Sequence, residues 1–349
     1  MNDTTWTAGL GEDQIRTLVQ TAALAPSLHN SQPWRFRPGP GYIDLLGDDS
    51  RRLPAGDPSG RELRIACGAA LCNLRLAILE VGLWPIVTLC PEPGRPDLIA
   101  RVRYGGRRRA DPEERGLIAA IPRRHTNRTR FTGEPITTAE QNALRLAATE
   151  EGGWLHLVLG QAQREKLGEL ARRAHETQVG DSRFRAELAE WTSQGPDRAD
   201  GVPAGVGGPH PPPDDVWRRD FSDGTRDTAA APVPHGAPAA VGPGGPQPLV
   251  AVLSTHTGGI SEDVRAGVAL QRVLLTATVH GLAVSFLSQL VEVAEVREEV
   301  RRLVRGVRPA QAVLRIGHGV PVPATPRRPP DELIVVDRTA ATTSGAAAQ

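Results

Sequence analysis

The chain contains the stretch GAALCNLRLAILEVGL at positions 68–83 and a similar stretch, GVALQRVLLTATVHGL, at positions 267–282. Both are long apolar helix patterns that end at a glycine of the C-cap type. Chance similarity of two Leu- and Ala-rich helices is the alternative, but matching glycines at both ends favour a duplication. Residues coincide at a constant offset of 199, in the pairs Gly68/Gly267, Ala70/Ala269, Leu71/Leu270, Leu76/Leu275, Gly82/Gly281 and Leu83/Leu282.

The repeat predicts two homologous halves, residues 1–122 and 123–349, that pack as a pseudo-dimer within one chain. Upstream helix patterns around Leu18 and Leu144 differ by only 126 positions, so the second half contains about 73 extra residues. We assign them to an insertion at 194–248, which from position 195 holds twelve prolines and ten glycines. Such a segment is either a flexible linker or a lid lying over something, anchored by Trp217 and Phe221. The sequence leaves both interpretations open.

Composition excludes several classes of protein. The 41 basic and 40 acidic residues give a net charge of +1, so no general attraction to nucleic acid or to anionic membranes is expected. No run of 18 apolar residues could span a membrane. Three cysteines are an odd number and exclude a disulfide scaffold, and nine isolated histidines predict no metal site. Because the first residues contain no leader-like pattern, we expect a cytoplasmic protein.

The remaining sequence predicts an α+β fold in which helices and strands are interleaved. Helix patterns cover the region from Ile15 to Pro26, then 61–83, 138–149 with a Thr137/Glu140 capping box, the regions around Leu170 and Leu188, and 291–304. Short β-rich runs occupy 42–46, 86–89, 154–159, 249–253, 283–287, 312–316 and 333–336.

Two motifs bear chemistry. The first is APSLHNSQPWRF at 25–36, a polar loop between a helix that ends at Pro26 and an aromatic strand. Such junctions are where binding groups are usually placed. The second is RRHTNRTRF at 123–131, in which Arg124, Thr126 and Arg128 alternate. In an extended segment all three lie on one side, and two guanidinium groups with a hydroxyl can hold a phosphate or a carboxylate.

With these residues the chain resembles the nitroreductase superfamily of FMN proteins, specifically its tandem Acg-like branch. Family members have an Arg-x-Ser-x-Arg/Lys phosphate motif, then a helix and a Pro-Ser-x-x-Asn-x-Gln-Pro-Trp loop, with a further phosphate-binding arginine near the last strand. Here the set is divided between the halves: the first has the loop, and the second has the Arg124–Arg128 motif and Arg328. The resemblance therefore implies one FMN between the two halves.

The resemblance also implies roles for individual residues. Arg124, Thr126, Arg128 and Arg328 would meet the phosphate, and the loop would meet the polar edge of the flavin with Pro26, Ser27, His29, Asn30 and Gln32. Ser288 and Gln289 would lie beside flavin N5, where the family often has Glu-Gly. No GxGxxG or GxxxxGK[ST] motif is present, so the sequence gives no sign of a Rossmann domain for NAD or FAD.

We therefore expect an FMN-dependent oxidoreductase that transfers hydride through flavin N5 to or from a small organic substrate. The alternative is a protein that holds the flavin under a lid with little turnover. No residue is assigned as a catalytic acid or base. The substrate, a small molecule or a biosynthetic intermediate, is left open by the sequence. The direction of the reaction, the use of NAD(P)H and the choice between a monomeric pseudo-dimer and a homodimer stay open too.

Overall fold

The protein is described by a computed structural model of residues 10–129, 131–192, 198–203, 206–207, 217, 219, 247–304 and 306–336. The predicted anchor Phe221 and most of the segment 194–248 lie outside these residues. No helix in the described ranges combines the length and the apolar character needed to cross a lipid bilayer.

The first sheet contains four antiparallel strands in the order β1-β2-β4-β3. Three helices accompany it, and the longest of them is buried along most of its length. The strands are β1 (Trp34–Gly39), β2 (Tyr42–Gly47), β3 (Leu83–Leu89) and β4 (Leu98–Arg107), and the helices are α1 (Glu12–Ala22), α2 (Arg61–Glu80) and α3 (Pro112–Ala120).

The second sheet has the corresponding order, β5-β6-β8-β7, and is also antiparallel. Its strands are β5 (Trp154–Val158), β6 (Leu249–Ser254), β7 (Ala283–Phe286) and β8 (Ala310–Gly317). The helices are α4 (Thr138–Glu150), α5 (Gln161–Gly180), α6 (Ser182–Thr192), α7 (Ile260–Val279), α8 (Gln289–Glu292), α9 (Ala294–Leu303) and α10 (Pro330–Leu333). The α+β composition predicted from the sequence is confirmed.

Helices α2 and α7 cross at the centre of the molecule and are both 20 residues long. Their closest approach is at Gly68 and Gly267, where no side chain separates the backbones. A Cβ atom built on Gly68 would lie 2.1 Å from the carbonyl oxygen of Val264, and one on Gly267 would lie 1.9 Å from that of Ile65. These two contacts correspond under the 199-residue offset. The glycines are therefore required by the crossing itself.

Local sequence accounts for several boundaries. The predicted capping box is present at α4, since Thr137 Oγ1 accepts from the Glu140 backbone N–H at 3.2 Å and the Glu140 carboxylate accepts from the Thr137 backbone N–H at 2.7 Å. The helix predicted at 291–304 is instead divided into α8 and α9, because Val293 has extended backbone angles.

The strand predicted at 333–336 is wrong. Leu333 is the last residue of α10, and the following Ile334 makes a single parallel bridge to Phe36. Pro330 occupies the first helical position, which its fixed φ suits, and Asp331 and Glu332 suit the positive end of the helix dipole. These residues outweigh a four-residue apolar run. Strand β4 was not predicted, because its arginines obscured the alternation of Ala100, Val102 and Tyr104 toward the core.

The first sheet contains a buried ion cluster that predicts a pH effect. Asp44, which is fully buried, lies opposite Arg37 on β1 and Arg101 on β4, and its carboxylate accepts from them at 2.8 and 2.6 Å. Burial acts to raise the pKa of Asp44, but the two arginines bring it below its ordinary value. The stabilisation is therefore complete above the unfolded-state pKa of about 4 and is lost as the pH falls through the lower folded-state pKa.

We expect Asp44→Asn to lower the free energy of unfolding by about 2 kcal/mol at neutral pH. The loss is smaller than that for a fully buried ion pair because both arginines are partly exposed to solvent. The difference from wild type should shrink steadily as the pH falls from about 4 toward 2. Urea unfolding at a series of pH values measures both quantities. A difference that does not change with pH would contradict the assigned role of the carboxylate.

Candidate functional site

A cavity lies where the loop after α1, one face of α2, the segment 124–128 and the end of β7 meet. The α2 residues that face it are spaced at i, i+3, i+4 and i+7, which places them on one side of the helix. The lining residues are Pro26, Ser27, Leu28, His29, Asn30, Glu62, Ile65, Ala66, Ala69, Arg124, Thr126, Arg128, Arg219, Leu270, Ser285, Phe286, Ser288, Thr325 and Arg327.

The loop after α1 is held in an unusual backbone conformation. His29, Asn30 and Gln32 have φ angles of 50, 55 and 50°, in the left-handed region that favours glycine. Each such residue costs on the order of 1 kcal/mol, so the loop must be fixed by its contacts. The Ser27 hydroxyl accepts from the Gln32 backbone N–H at 2.9 Å, which closes the loop on itself. Strain of this kind is concentrated at binding sites.

Asn30 and Gln32 use their side chains to join this loop to distant parts of the chain. The Asn30 amide nitrogen donates to the carbonyls of Gly201 and Pro326, both at 3.0 Å. The Gln32 amide nitrogen donates to the Ala199 carbonyl at 2.8 Å, and its oxygen accepts from the Arg328 backbone N–H at 2.9 Å. Asn30 also lines the cavity, whereas Gln32 is fully buried behind it.

The segment 124–128 is extended beside β7. Thr126 bridges to Val284 in parallel, and the Asn127 backbone N–H donates to the Val284 carbonyl at 2.8 Å. Period-two alternation then directs Arg124, Thr126 and Arg128 to the same side, and all three line the cavity. The structure thus brings together the two motifs, although about 100 residues separate them in the chain.

Three arginines of the cavity wall lie close together, of which Arg124 is buried and Arg128 and Arg327 are half-buried. Arg124 donates to the Leu24 carbonyl at 3.3 Å, and Arg327 donates to the Ala23 carbonyl at 2.8 Å and the Asn30 side-chain oxygen at 3.0 Å. These acceptors are neutral. Arg124 Nε is buried and has no hydrogen-bond partner within the described ranges. Arg128 donates to the Val206 carbonyl at 3.4 Å.

The electrostatics of these arginines indicate an anion site. Burial lowers the pKa of Arg124 and of Arg128 to about 10, with Arg128 adding to the effect on Arg124. Burial, together with the charges of Arg124 and Arg128, lowers the pKa of Arg327 to about 9. Like charges brought together away from water are destabilising until a counter-charge joins them. A dianion such as a phosphate monoester would supply that charge and accept from the guanidinium groups.

Arg328 does not line the cavity, and the adjacent Arg327 does. The Arg328 side chain is directed to Glu332, whose carboxylate and backbone carbonyl accept from it at 3.2 and 3.1 Å. Successive residues of an extended segment point to opposite sides, so only one of two neighbouring arginines can face the site. The sequence PRRPP contains no signal that distinguishes the two.

Two neighbouring residues after β7, Ser288 and Gln289, were predicted beside the flavin ring, and again only one of the two faces the cavity. Ser288 lines the cavity, whereas Gln289, the first residue of α8, is buried and does not. Gln289 Oε1 has no hydrogen-bond partner in the part of the chain that the structure describes. The other residues that the sequence predicted for the site do line the cavity. They are Pro26, Ser27, His29, Asn30, Arg124, Thr126 and Arg128.

Sequence reasoning missed two charged residues of the wall, namely Glu62 and Arg219, whereas Arg327 was expected beside Arg328 as a further phosphate contact. Glu62 could have been found from its spacing to Ile65, Ala66 and Ala69 on one face of α2. Burial raises the pKa of Glu62 to about 7, against the effect of Arg61. Arg219 carries no local signal, because it lies in the Pro/Gly-rich segment.

His29 is buried in the wall and lies close to Arg219, with 3.1 Å between His29 Nε2 and Arg219 Nη1. Burial and the charge of Arg219 together lower the pKa of His29 to about 3. The imidazole is therefore neutral at physiological pH and serves as a hydrogen-bonding group rather than a cation.

Comparison with known proteins identifies relatives of similar length in Mycobacterium tuberculosis. The H37Rv protein with the provisional name NAD(P)H nitroreductase Rv3131 is 32% identical over 333 residues, which cover 90% of this chain and 89% of the relative. The protein provisionally named NAD(P)H nitroreductase acg is 32% identical over 329 residues, covering 93% and 96%. No family model matches the chain.

The solved structures that the chain matches include two nitroreductases. The FMN and NADPH-dependent nitroreductase NfnB from sphigopyxis sp. strain HMH has 17% identity and a TM-score of 0.38, over 63% of this chain and 97% of that one. A nitroreductase with bound FMN from Desulfitobacterium hafniense DCB-2 has 16% identity and a TM-score of 0.33, over 63% and 97%.

Proposed function

The chain belongs to the nitroreductase family, in the branch that includes Acg, and from this premise we propose that it is an FMN-dependent oxidoreductase. One FMN would occupy the cavity between the loop 26–32 and the segment 124–128. The observation that carries the proposal is the group of three arginines, one buried and two half-buried, around this one cavity, each with its pKa lowered by burial. Such a group fits the phosphate of a mononucleotide.

The residues present fit FMN at both of its ends. Arg124, Arg128 and Arg327, with the hydroxyl of Thr126, would hold the phosphate. Hydrogen-bonding groups for the polar edge of the flavin are available on the loop, from Ser27, neutral His29 and Asn30. The apolar wall formed by Ile65, Ala66, Ala69, Leu270 and Phe286 would exclude water from the ring.

When bound, FMN would accept two electrons as a hydride at N5 and pass them to a second substrate. The chain's own residues bind and orient it. The strained loop places Ser27 and Asn30 at the cavity wall. The bridge between Thr126 and Val284 positions the segment 124–128, which would bind the phosphate, relative to β7 and Ser288. None of the wall residues is assigned as an acid or base of the reaction.

We interpret residues 1–122 and 123–349 as homologous halves of a pseudo-dimer. Two observations support this: the sheets have corresponding strand orders, and α2 and α7 have equal lengths at the 199-residue offset. The loop comes from the first half and the arginine motif from the second, so the halves share one complete set of binding residues.

One FMN per chain is therefore expected. Purified protein, saturated with FMN and freed of excess, should contain one flavin per polypeptide by visible absorbance against protein concentration. Two flavins per chain would contradict the division of the site between the halves. A colourless protein that takes up no FMN would overturn the proposed function.

NAD(P)H is the electron donor that the names of the relatives indicate, with a small organic molecule as the second substrate. A second candidate function is a flavin-holding protein with little turnover. Contacts of the segment 194–248 with the wall favour it: Arg219 lines the cavity, and Arg128 donates to Val206.

Anaerobic addition of NADPH or NADH to the yellow protein separates the two functions. Rapid loss of the flavin absorbance supports the oxidoreductase. If the flavin stays oxidised in the full chain and becomes reducible after deletion of 194–248, the flavin-holding function is supported instead.

A further inference from the structure

Arg219 is a charged residue of the cavity wall that the proposed flavin site does not use. Of residues 208–246, the structure describes Trp217 and Arg219. The Arg219 guanidinium makes a two-pronged contact with Glu292 on α8, because Nη1 donates to Oε1 at 3.1 Å and Nη2 donates to Oε2 at 2.6 Å. Parallel contacts of this kind are the strongest and most selective that a carboxylate makes with a cation.

Three other residues complete the surroundings of this guanidinium. Gln178 on α5 accepts from Arg219 Nη2 at 3.0 Å, and His29 Nε2 lies 3.1 Å from Nη1. The Phe184 ring on α6 has its centroid 5.7 Å from the guanidinium carbon, within the range of a cation–π contact. We call His29, Gln178, Phe184 and Glu292 the guanidinium box.

The box needs a cation. The Glu292 side chain is 1% exposed, and burial acts to raise its pKa, but Arg219 holds that pKa below its ordinary value. Neutral His29 and the Gln178 amide oxygen add acceptors without adding charge. Removing the cation would leave a buried carboxylate uncompensated, which is strongly unfavourable. A guanidinium group is planar and can donate two parallel hydrogen bonds to the Glu292 carboxylate while it also reaches Gln178 and His29. An ammonium group cannot make all of these contacts at once.

We propose that the guanidinium box is a binding site for guanidinium-bearing small molecules that opens onto the flavin cavity, and that Arg219 fills it in their absence. Because His29 and Arg219 both line the cavity, a ligand held in the box would reach into the same space. That this ligand is a substrate rests on the proposed function. The binding site itself does not depend on that function.

Arg219 competes with any such ligand, because it belongs to the same chain and is always present. A ligand must displace it, which lowers the apparent affinity by the fraction of molecules in which the box is open. Removing the Arg219 side chain should therefore create a measurable site rather than destroy one. A purely structural ion pair would also leave in Arg219→Ala a cavity that accepts a guanidinium, so binding by the wild-type protein is the result that separates the two roles.

The test measures binding of ethylguanidinium to Arg219→Ala, by calorimetry and by the shift in melting temperature. We expect saturable binding at roughly millimolar concentration, at least about tenfold tighter than to the wild-type protein. Ethylammonium at the same concentration is the matched ligand control and should bind much more weakly. Arg219→Ala with Glu292→Gln is the matched protein control: it should not bind ethylguanidinium, and it should melt at a higher temperature than Arg219→Ala alone.

The proposal is overturned if folded Arg219→Ala binds no ethylguanidinium, if ethylammonium binds equally well, or if the wild-type protein shows no saturable binding of ethylguanidinium at all. If Arg219→Ala does not fold, Arg219→Lys retains the charge without the fork, and it must bind ethylguanidinium more tightly than wild type does. Flavin content is read separately by absorbance. Yellow protein without the site refutes the box alone, whereas a colourless protein that binds ethylguanidinium refutes the proposed function alone.

Discussion

Replacing Gly68 by valine is expected to leave the chain without a stable native state. The new Cβ atom would lie 2.1 Å from the Val264 carbonyl oxygen and 2.9 Å from the Gly267 Cα atom. Both are backbone atoms and cannot rotate away, so α2 and α7 would have to separate along the centre of the core. Overpacking by side chains costs about 1–3 kcal/mol, and a clash with backbone costs more than that. The two methyl groups of valine add further overlap to the clash of the Cβ atom. We expect the sum to exceed the total stability of a folded protein, which is about 5–15 kcal/mol.

Gly68→Ala should remain soluble enough to measure, with a loss of more than about 3 kcal/mol in the free energy of urea unfolding. The matched control is Gly116→Ala in α3, where the added Cβ atom would meet only Val279 Cγ2 at 3.9 Å. Because alanine favours helix, this control should gain about 0.5–1 kcal/mol. If Gly68→Ala unfolds like the control, the close crossing is refuted.

The second expected result is that Arg124→Ala combined with Arg128→Ala releases FMN. Each guanidinium in a charge-assisted hydrogen bond to a buried anion contributes about 1.5–3 kcal/mol. Loss of both should weaken FMN binding by roughly a thousandfold or more, since 1.4 kcal/mol corresponds to about tenfold in affinity. Titration of flavin-free protein with FMN, followed by quenching of flavin fluorescence, measures the affinity directly.

The matched control is Arg123→Ala, which removes an exposed arginine from the same segment and should bind FMN as wild type does. The flavin-free double variant should also be at least as stable as flavin-free wild type, because the arginines oppose one another when no anion is bound. This gain distinguishes a binding role from a merely structural one. Stoichiometric FMN at wild-type affinity in the double variant would refute the phosphate assignment.

The two motifs that line the cavity were visible in the sequence because they are local. The loop 26–32 and the alternating Arg124, Thr126 and Arg128 each follow from spacing of two or three residues, and the structure places most of their side chains at one cavity. Apolar periodicity similarly predicted α2 and α7 with errors of a few residues. The apolar run 333–336 predicted a strand wrongly, because Pro330 and the two acidic residues after it favour the start of helix α10.

The sequence by itself determined the longer helices apart from α3, most strands and the two motifs, because hydrophobic period, capping residues and charge alternation act over a few neighbouring residues. Only the tertiary structure decided which of Arg327 and Arg328 faces the cavity, that Gln32 and Gln289 lie behind the wall, and that Arg219 meets Glu292. These outcomes depend on packing between segments that are far apart in the chain. The direction of a side chain at such a contact is set by the neighbour it meets, which no local pattern encodes.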